Sequence, residues 1–341
     1  MIDITKYSMP AEWEEHQRTF IEWPVKSSML YAENHQAVCA DYAGIINAVC
    51  EFEPVTVIMN NDSLEEARRL CSSQAELIDI AHDDAWIRDN GPTFVRNTKS
   101  EIAGIDWRFN AWGEKYPDFH LDNMVAEKLL NAFDIPMYSS NMVLEGGSIH
   151  SDGNSALLTT EQCLLNKNRN PYYTKAEIEA ELKKCLGIKK IIWLAKGISG
   201  DETDGHIDNT ACFAPASRIL LQVCHDMNDL NYNAAIENRN ILKRENDTAI
   251  PKFDIIEIEQ PPLVKYKGKR LPLSYINFYI VNGGIIMPVF GIPKTDEAAA
   301  AVLRETFPER KIITLDGMNI VKEGGGIHCI TQQMPKGANT R

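Results

Sequence analysis

The sequence lacks the features that mark several common protein classes. No apolar run approaches the ~20 residues of a membrane span, and the N-terminal segment has neither a basic nor an apolar leader region. The eight cysteines form no Cys-x-x-Cys pair, so neither a zinc ribbon nor a thioredoxin-type dithiol is indicated. Without an export signal the cysteines are expected to stay reduced, as in a cytoplasmic protein without membrane contact.

Basic residues are also few, since 35 Lys and Arg stand against 48 Asp and Glu and give a net charge of -13. Such a surface disfavours nucleic acid and anionic membranes and attracts cations, although solubility alone also accounts for it. The glycine-rich stretch 324–328 lacks the Lys-Ser or Lys-Thr of a phosphate loop, and no dinucleotide fingerprint is present. Nucleic-acid and nucleotide partners are therefore not expected.

Runs typical of strands alternate with runs typical of helices, and no linker or low-complexity tract divides the chain. The helix-type runs cover 35–52, 63–70, 121–133, 174–186, 229–246 and 294–307. The strand-type runs cover 18–24, 54–60, 75–80, 101–107, 155–160, 189–195, 212–223, 253–258, 274–290 and 311–317. One strand per helix would indicate a doubly wound sheet, but strands are in excess. The excess predicts a repeated module of several strands and one helix, packed radially around a centre.

Two glycine-rich turns support this repeat. Residues 145–150 read Glu-Gly-Gly-Ser-Ile-His and residues 323–328 read Glu-Gly-Gly-Gly-Ile-His, and only the second copy is followed by a cysteine, Cys329. We interpret them as equivalent turns of two modules that bring the backbone close to a shared central cavity.

Cys329 is the candidate nucleophile because it follows glycines that allow close approach to a ligand; a small buried hydrophobe is the alternative. In a strand-like run its side chain shares a face with Ile327, whereas His328 points the other way, so we expect the base from elsewhere. His206 and Asp208 lie two residues apart in Asp-Gly-His-Ile-Asp-Asn and share a face if that run is extended. They would supply a base and a substrate clamp.

The same pair also permits a metal site, with His150 as a third candidate ligand, or an Asp-Gly turn at the start of a strand. Upstream, Asp84 and Asp89 flank Trp86 in Asp-Asp-Ala-Trp-Ile-Arg-Asp-Asn-Gly. Carboxylates beside an indole form a good cation site, and Glu145 adds a carboxylate at a Gly-Gly turn; solvated loops are the ordinary alternative. A thiol, an imidazole and several carboxylates suit guanidinium, a flat cation with an electrophilic carbon.

Five segments resemble, in the same order, the agmatine deiminase and bacterial peptidyl-arginine deiminase branch of the guanidine-modifying superfamily. They are DAWIRDNGPTFV (84–95), FNAWG (109–113), EGGSIH (145–150), DGHIDN (204–209) and GGGIHCITQQ (324–333). The resemblance implies an α/β fold of the pentein type, a propeller of five pseudo-symmetric ββαβ-type modules around a central active site. It also implies that the whole chain, 1–341, is a single catalytic domain.

The resemblance further implies roles for individual residues. Cys329 would be the nucleophile and His206 the general acid and base, with Asp89 and Asp208 gripping the guanidinium group. Glu145 would lie in the active site near the imidazole.

By the same resemblance Trp86 and Trp112 would line the pocket, and Asp84 would help to bind the substrate. No metal or organic cofactor is implied, the partner would be a small cationic guanidino substrate, and the protein would form a homo-oligomer, a dimer or larger. Residues 20–30 and Glu114 differ from the pattern frequent in agmatine-specific members, and they lie toward the substrate's tail.

Agmatine is the first expected substrate and a peptidyl-arginine the second. Three other functions compete with deimination: a metal-dependent amidohydrolase built on His206 and Asp208, an amidinotransferase, and a polyamine-binding protein.

Overall fold

The computed structural model describes residues 2–249 and 251–338, which form nineteen strands and ten helical segments. The strands are β1 (Tyr7–Ser8), β2 (His16–Glu22), β3 (Val55–Met59), β4 (Glu76–Asp79), β5 (Thr93–Asn97), β6 (Ile102–Arg108), β7 (Met137–Val143), β8 (Ile149–Ser151), β9 (Ala156–Thr160), β10 (Lys190–Leu194), β11 (Ala211–Ala214), β12 (Arg218–Val223), β13 (Asp254–Glu259), β14 (Lys265–Tyr266), β15 (Lys269–Arg270), β16 (Tyr279–Val281), β17 (Gly284–Val289), β18 (Lys311–Asp316) and β19 (Gln332–Pro335). The helical segments are α1 (His35–Cys50), α2 (Leu64–Leu70), α3 (Ile87–Asn90), α4 (Ala111–Glu114), α5 (Val125–Ala132), α6 (Glu161–Leu164), α7 (Lys175–Leu186), α8 (Tyr232–Thr248), α9 (Pro293–Thr306) and α10 (Met318–Lys322).

All six predicted helices and all ten predicted strand regions are confirmed, with shifts of a few residues at their ends. The region 212–223 is a hairpin of two strands, β11 and β12. The region 274–290 is also a hairpin, β16 and β17, and its first five residues lie outside any strand. Among the described residues no helix has the length and apolar character needed to cross a membrane.

The strands and helices form one structural module that recurs five times, and the five modules are arranged in a ring. In each, an antiparallel hairpin is followed by a helix and a third strand, which pairs in parallel with the second strand of the hairpin. Four modules are continuous in sequence: β5-β6-α5-β7, β8-β9-α7-β10, β11-β12-α8-β13 and β16-β17-α9-β18. The fifth joins the two ends of the chain, because C-terminal β19 pairs antiparallel with β2, which α1 connects to the parallel strand β3. The predicted pentein fold is thereby confirmed.

The second strand of each hairpin is flanked on both sides by other strands, and the outer helices cover the sheets. In β12, for example, every residue except Arg218 is buried, and β17 is buried except for Val289. Strands covered on both faces read as continuous apolar runs, which is the pattern in the sequence. The helices meet these strands with one apolar face, as α9 does through Ala299, Ala300 and Leu303.

Two glycines offer a matched test of this packing. A Cβ at Gly104 in β6 would lie 2.3 Å from the Cδ2 atom of Leu130 in α5, whereas the space around Gly44 in α1 is open to 4 Å in the described part of the chain. We expect Gly104→Ala to lower the free energy of unfolding by about 1–3 kcal/mol through overpacking. Gly44→Ala is expected to raise it by up to about 1 kcal/mol, because alanine favours a helix. Urea denaturation of both variants measures the difference, and equal effects would contradict this account of the β6–α5 contact.

Candidate active site

The candidate catalytic residues occupy equivalent places in four of the five modules. Asp89 lies just before β5, Glu145 before β8, His206 and Asp208 before β11, and Cys329 before β19. Each therefore sits on the loop that enters the first strand of its module, at the centre of the ring. The two Glu-Gly-Gly turns are equivalent in this sense, as the sequence predicts.

The remaining module contributes Asn277, which the sequence analysis missed. Asn277 lies on the loop before β16, and its Nδ2 atom is 3.3 Å from Cys329 Sγ. Its Oδ1 atom accepts the backbone N–H of His328 at 2.9 Å, so it fixes the turn that carries the thiol. The sequence carried one signal for Asn277. It is an asparagine inside the apolar run 274–281, at the place where other modules carry polar groups.

A glycine lies at the point where three of these side chains converge. A Cβ at Gly147 would lie 2.6 Å from His206 Nδ1, 2.8 Å from Asp89 Oδ1 and 2.9 Å from Asp208 Oδ2. The backbone N–H of Gly147 also donates to Asp89 Oδ1 at 3.0 Å. No other residue type fits between these groups without displacing them, which explains the doublet physically.

Asp89 is held in place by Trp112, which lies on a strained segment of backbone. Its Oδ2 atom accepts the indole N–H of Trp112 at 2.8 Å. Trp112 lies in α4, where all four residues, Ala111 to Glu114, have φ between 50° and 93°, so this segment is a left-handed turn. Left-handed helical backbone costs roughly 1–2 kcal/mol per non-glycine residue. The contact with Asp89 is thus maintained against local strain, as is common at functional sites.

His206 is fully buried among carboxylates. Its Nδ1 atom is 3.7 Å from Asp89 Oδ1 and its Nε2 atom is 3.8 Å from Glu145 Oε2, and neither ring nitrogen has a hydrogen-bond partner among the described residues. Burial lowers the pKa of His206, but the nearby carboxylates, Asp89 foremost, outweigh it and raise the pKa well above its ordinary value. The ring is therefore an imidazolium ion at neutral pH, able to give up a proton.

Glu145 keeps its negative charge because of a buried arginine that sequence reasoning also missed. Arg169 Nε donates to Glu145 Oε1 at 2.6 Å, and the same guanidinium contacts Asp204 at 2.7 Å. Burial acts to raise the pKa of Glu145, yet Arg169 and His206 together lower it below the usual range. Glu145 Oε2, which faces His206, has no hydrogen-bond partner among the described residues.

Asp208 is oriented by a chain of buried groups that reaches the N-terminal segment. Its Oδ2 atom lies 3.1 Å from His328 Nδ1, and His328 Nε2 lies 3.0 Å from Glu12 Oε1. Arg88 Nη1 is 3.4 Å from the same Glu12 atom. Burial acts to raise the pKa of Asp208, but His328 and then His206 lower it, so Asp208 is an anion. Its Oδ1 atom is buried and free of hydrogen bonds within the described structure.

Two local predictions are wrong. Residues 327–330 form a turn instead of a strand, so Ile327 and Cys329 do not share a strand face, and β19 begins only at Gln332. The run from His206 to Asn209 is a 3-10 turn (Ile207–Asn209) and not an extended segment. Both loops must bend at the centre of the ring to deliver polar groups, and the alternation of faces holds only inside regular strands.

Cys329 lies in the wall of a cleft that opens to solvent. Trp86, Trp112, Asp84 and Asp89 line this cleft with it. Burial, followed by the charges of Asp208 and Asp89, raises the pKa of the Cys329 thiol well above its ordinary value. Asp208 Oδ2 lies 3.5 Å from the sulfur. In the free protein the sulfur is therefore protonated.

The residues proposed for a metal site do not group as expected. Among the described residues, the ligand atoms that lie together near His206, within 4.8 Å of one another, belong to Glu145 and Cys163. Asp208 is instead turned toward His328 and Cys329, and His150 Nδ1 accepts the backbone N–H of Phe213 at 3.2 Å.

Known proteins share this architecture. An agmatine deiminase of Medicago truncatula is 41% identical over 365 residues, 96% of each chain. An agmatine deiminase structure from Enterococcus faecalis superposes with a TM-score of 0.92 at 32% identity, over 97% of this chain and 96% of that one. A C. jejuni agmatine deiminase with substrate bound gives a TM-score of 0.89 at 31% identity, with the same coverage.

The ring of five modules and its central cleft define a pentein-fold protein of the guanidine-modifying class. The sequence profile of the Porphyromonas-type peptidyl-arginine deiminases matches residues 8–335, nearly the full length. The chain belongs to this family.

The charges around the sulfur give a direct test of the site. In Asp208→Asn an anion 3.5 Å from Cys329 Sγ is removed, so the pKa of the thiol falls and its thiolate fraction rises. We expect iodoacetamide to alkylate Cys329 at least about tenfold faster at neutral pH, since each pKa unit changes the thiolate fraction about tenfold. Mass spectrometry of the peptide that contains Cys329 measures the rate. The exposed Asp118→Asn is the control, and an unchanged or slower rate in Asp208→Asn would refute the electrostatic assignment.

Proposed function

We propose that this protein hydrolyses agmatine to N-carbamoylputrescine and ammonia, through a covalent amidino-thioether on Cys329. The observation that carries the proposal is a buried thiol that lines one cleft together with Asp89 and lies 3.5 Å from Asp208, while the His206 imidazolium lies 3.7 Å from Asp89. The agmatine deiminases named above, similar along almost the whole chain, support it.

The guanidinium group would bind between Asp89 and Asp208. Asp208 has one buried oxygen free of hydrogen bonds among the described residues, and the pKa of Asp89 is raised by burial, to about 6. A cation with N–H groups on its edges supplies the charge and the donors that these carboxylates lack. Asp89 then becomes fully ionised, and the cation offsets the repulsion between the two anions.

Binding also prepares the nucleophile. The Cys329 thiol is protonated in the free protein because burial, and then the neighbouring anions Asp208 and Asp89, raise its pKa. A guanidinium ion at the same place favours the thiolate, and the thiol proton passes to solvent through the cleft, so the bound substrate activates its own nucleophile. The thiolate attacks the guanidinium carbon and gives a tetrahedral adduct, and His206 protonates the nitrogen that leaves as ammonia.

The second half of the reaction uses His206 in the opposite direction. His206, now neutral, takes a proton from a water molecule, and the hydroxide adds to the carbon of the amidino-thioether. The carbon–sulfur bond breaks, the thiolate is restored, and a ureido group remains on the product. Glu145 and Asp89 hold the imidazole in place and stabilise its charged form through both halves.

The cleft favours agmatine over the alternative, a peptidyl-arginine. Asp84, Glu202 and Glu323 are among its lining residues, and none of the described residues lining it is Lys, Arg or His. A primary amine at the tail of the substrate finds carboxyl groups in this lining, whereas the carboxylate of arginine or of a C-terminal arginyl peptide would find no basic side chain in it.

We also propose a domain organisation, a cellular location and an oligomeric state for the protein. The whole chain would act as one catalytic unit, since β19 completes the module that β2 begins. It would work in the cytoplasm, where its product would feed the formation of putrescine and polyamines, without a cofactor. A homo-oligomer, a dimer or larger, is supported by the exposed apolar side chains of Met227, Leu230 and Leu263.

Replacement of the sulfur tests the nucleophile. We expect Cys329→Ser to lose ammonia release from agmatine by at least about 10³-fold, because a serine hydroxyl stays protonated in this anionic site. Its thermal unfolding should remain close to that of the parent. The serine-substituted C. jejuni relative carries bound substrate, which fits this expectation for the equivalent step.

Product analysis with agmatine, free arginine and an arginyl peptide separates the alternatives. Ammonia release that requires an amine acceptor would show an amidinotransferase, and inhibition by a chelator but not by iodoacetamide would show a metal-dependent enzyme. Binding of polyamines without any turnover would leave a binding protein.

The charge at the tail can be tested separately. Glu202→Gln removes a carboxylate from the cleft lining, so KM for agmatine should rise about 1.5- to fivefold, the range expected of one partly exposed charge pair worth about 0.2–1 kcal/mol. Butylguanidine, which has the same chain without the amine, is the matched control substrate. Its KM should not change, and an equal rise for both compounds would contradict a role of Glu202 in binding the amine.

A further inference from the structure

A second cluster of reactive side chains lies outside the cleft, between α1 and α2. It consists of His35 and Cys39, one helical turn apart on α1, and Glu66 on α2. One ligand atom from each lies within 4.8 Å of the other two. Cys39 Sγ is 3.5 Å from His35 Nε2 and 3.6 Å from Glu66 Oε2.

These separations match a tetrahedral zinc site. With Zn–S near 2.3 Å and Zn–N or Zn–O near 2.0–2.1 Å, tetrahedral angles place sulfur about 3.5–3.6 Å from each of the other ligand atoms. A thiolate, an imidazole and a carboxylate are also the three ligand types that zinc takes in proteins. We propose that His35, Cys39 and Glu66 bind a zinc ion, with a water molecule as the fourth ligand.

The surroundings of the cluster fit this ion. The indole N–H of Trp23 lies 3.4 Å from Glu66 Oε2 and orients the carboxylate, the kind of outer contact that supports metal ligands. His35 and Glu66 are half-buried, so the ion reaches the site from solvent, and Cys39 closes its inner side.

Binding converts a thiol into a thiolate. A cysteine binds zinc as a thiolate, so the Cys39 thiol must lose its proton when the ion binds. Zinc replaces that proton on sulfur, and the proton leaves to solvent, so the apparent affinity should rise with pH.

The site is distinct from the catalytic centre but lies in the wall of the cleft. Val38 and Tyr42 of the same helix line the cleft, and Tyr42 donates its hydroxyl to the backbone of Ala85, next to Trp86. An ion that ties α1 to α2 would stabilise this wall without taking part in the chemistry.

The experiment uses the full chain carrying Cys329→Ser, so that the active-site thiol cannot bind the metal. Protein loaded with ZnCl2 and then desalted is analysed for zinc by mass spectrometry, and Co2+ is used as a spectroscopic probe for thiolate coordination. We expect one zinc per chain, a near-ultraviolet thiolate-to-cobalt band, and a higher unfolding temperature with zinc.

His35→Ala and Glu66→Gln, both at half-buried positions, should each weaken zinc binding at least about tenfold. Cys39→Ser should abolish the cobalt band, while Cys50→Ser at the end of the same helix is the matched control and should keep it. Zinc binding that survives His35→Ala and Glu66→Gln, that disappears in Cys163→Ser instead, or that is absent from the folded parent would overturn the proposal.

Discussion

The pairing of β19 with β2 is the constraint on which the site depends. Five loops point to the centre of the ring, but the loop with the sulfur belongs to a module whose other strands come from the opposite end of the chain. Only when the C-terminal strand joins β2 does Cys329 lie within reach of Asp208 and Asn277. The pairing of β19 with β2 also brings Glu12 into contact with His328. Because His328 in turn contacts Asp208, the N-terminal segment fixes the orientation of the Asp208 carboxylate.

The charges of this centre are arranged for a cation that arrives from outside. Burial and the anions Asp208 and Asp89 raise the pKa of the thiol, and carboxylates outweigh burial to raise that of His206, so the resting site holds a protonated sulfur and a protonated imidazole. Such a state is inert toward most electrophiles. When a guanidinium ion binds, the carboxylates face its positive charge. The pKa of the thiol then falls, whereas the imidazole stays protonated. Selectivity for cations thus follows from electrostatics as much as from shape.

The sequence was sufficient for the architecture and for the chemistry of the main residues, because both rest on local patterns. Continuous apolar runs mark strands covered on both faces, and short polar motifs mark the loops between them. Glu12 and Arg169 could not be found in this way, and Asn277 was marked only as a polar residue inside an apolar run. These residues matter because of contacts across the ring, such as that of Glu12 with His328. The residues next to them in the sequence give no indication of these partners. The geometry of loops 206–209 and 327–330 was also out of reach, because side-chain alternation is a property of strands.

Chain closure has a consequence for biosynthesis. Strand β2 is made long before its antiparallel neighbour β19 and before Cys329, which precedes β19 in the chain. Synthesis at roughly 5–20 residues per second leaves the first hairpin incomplete for tens of seconds, with one edge of β2 uncovered. During that interval Cys329 is absent from the centre of the ring. The set of polar groups at the centre is therefore completed only when β19 docks on β2.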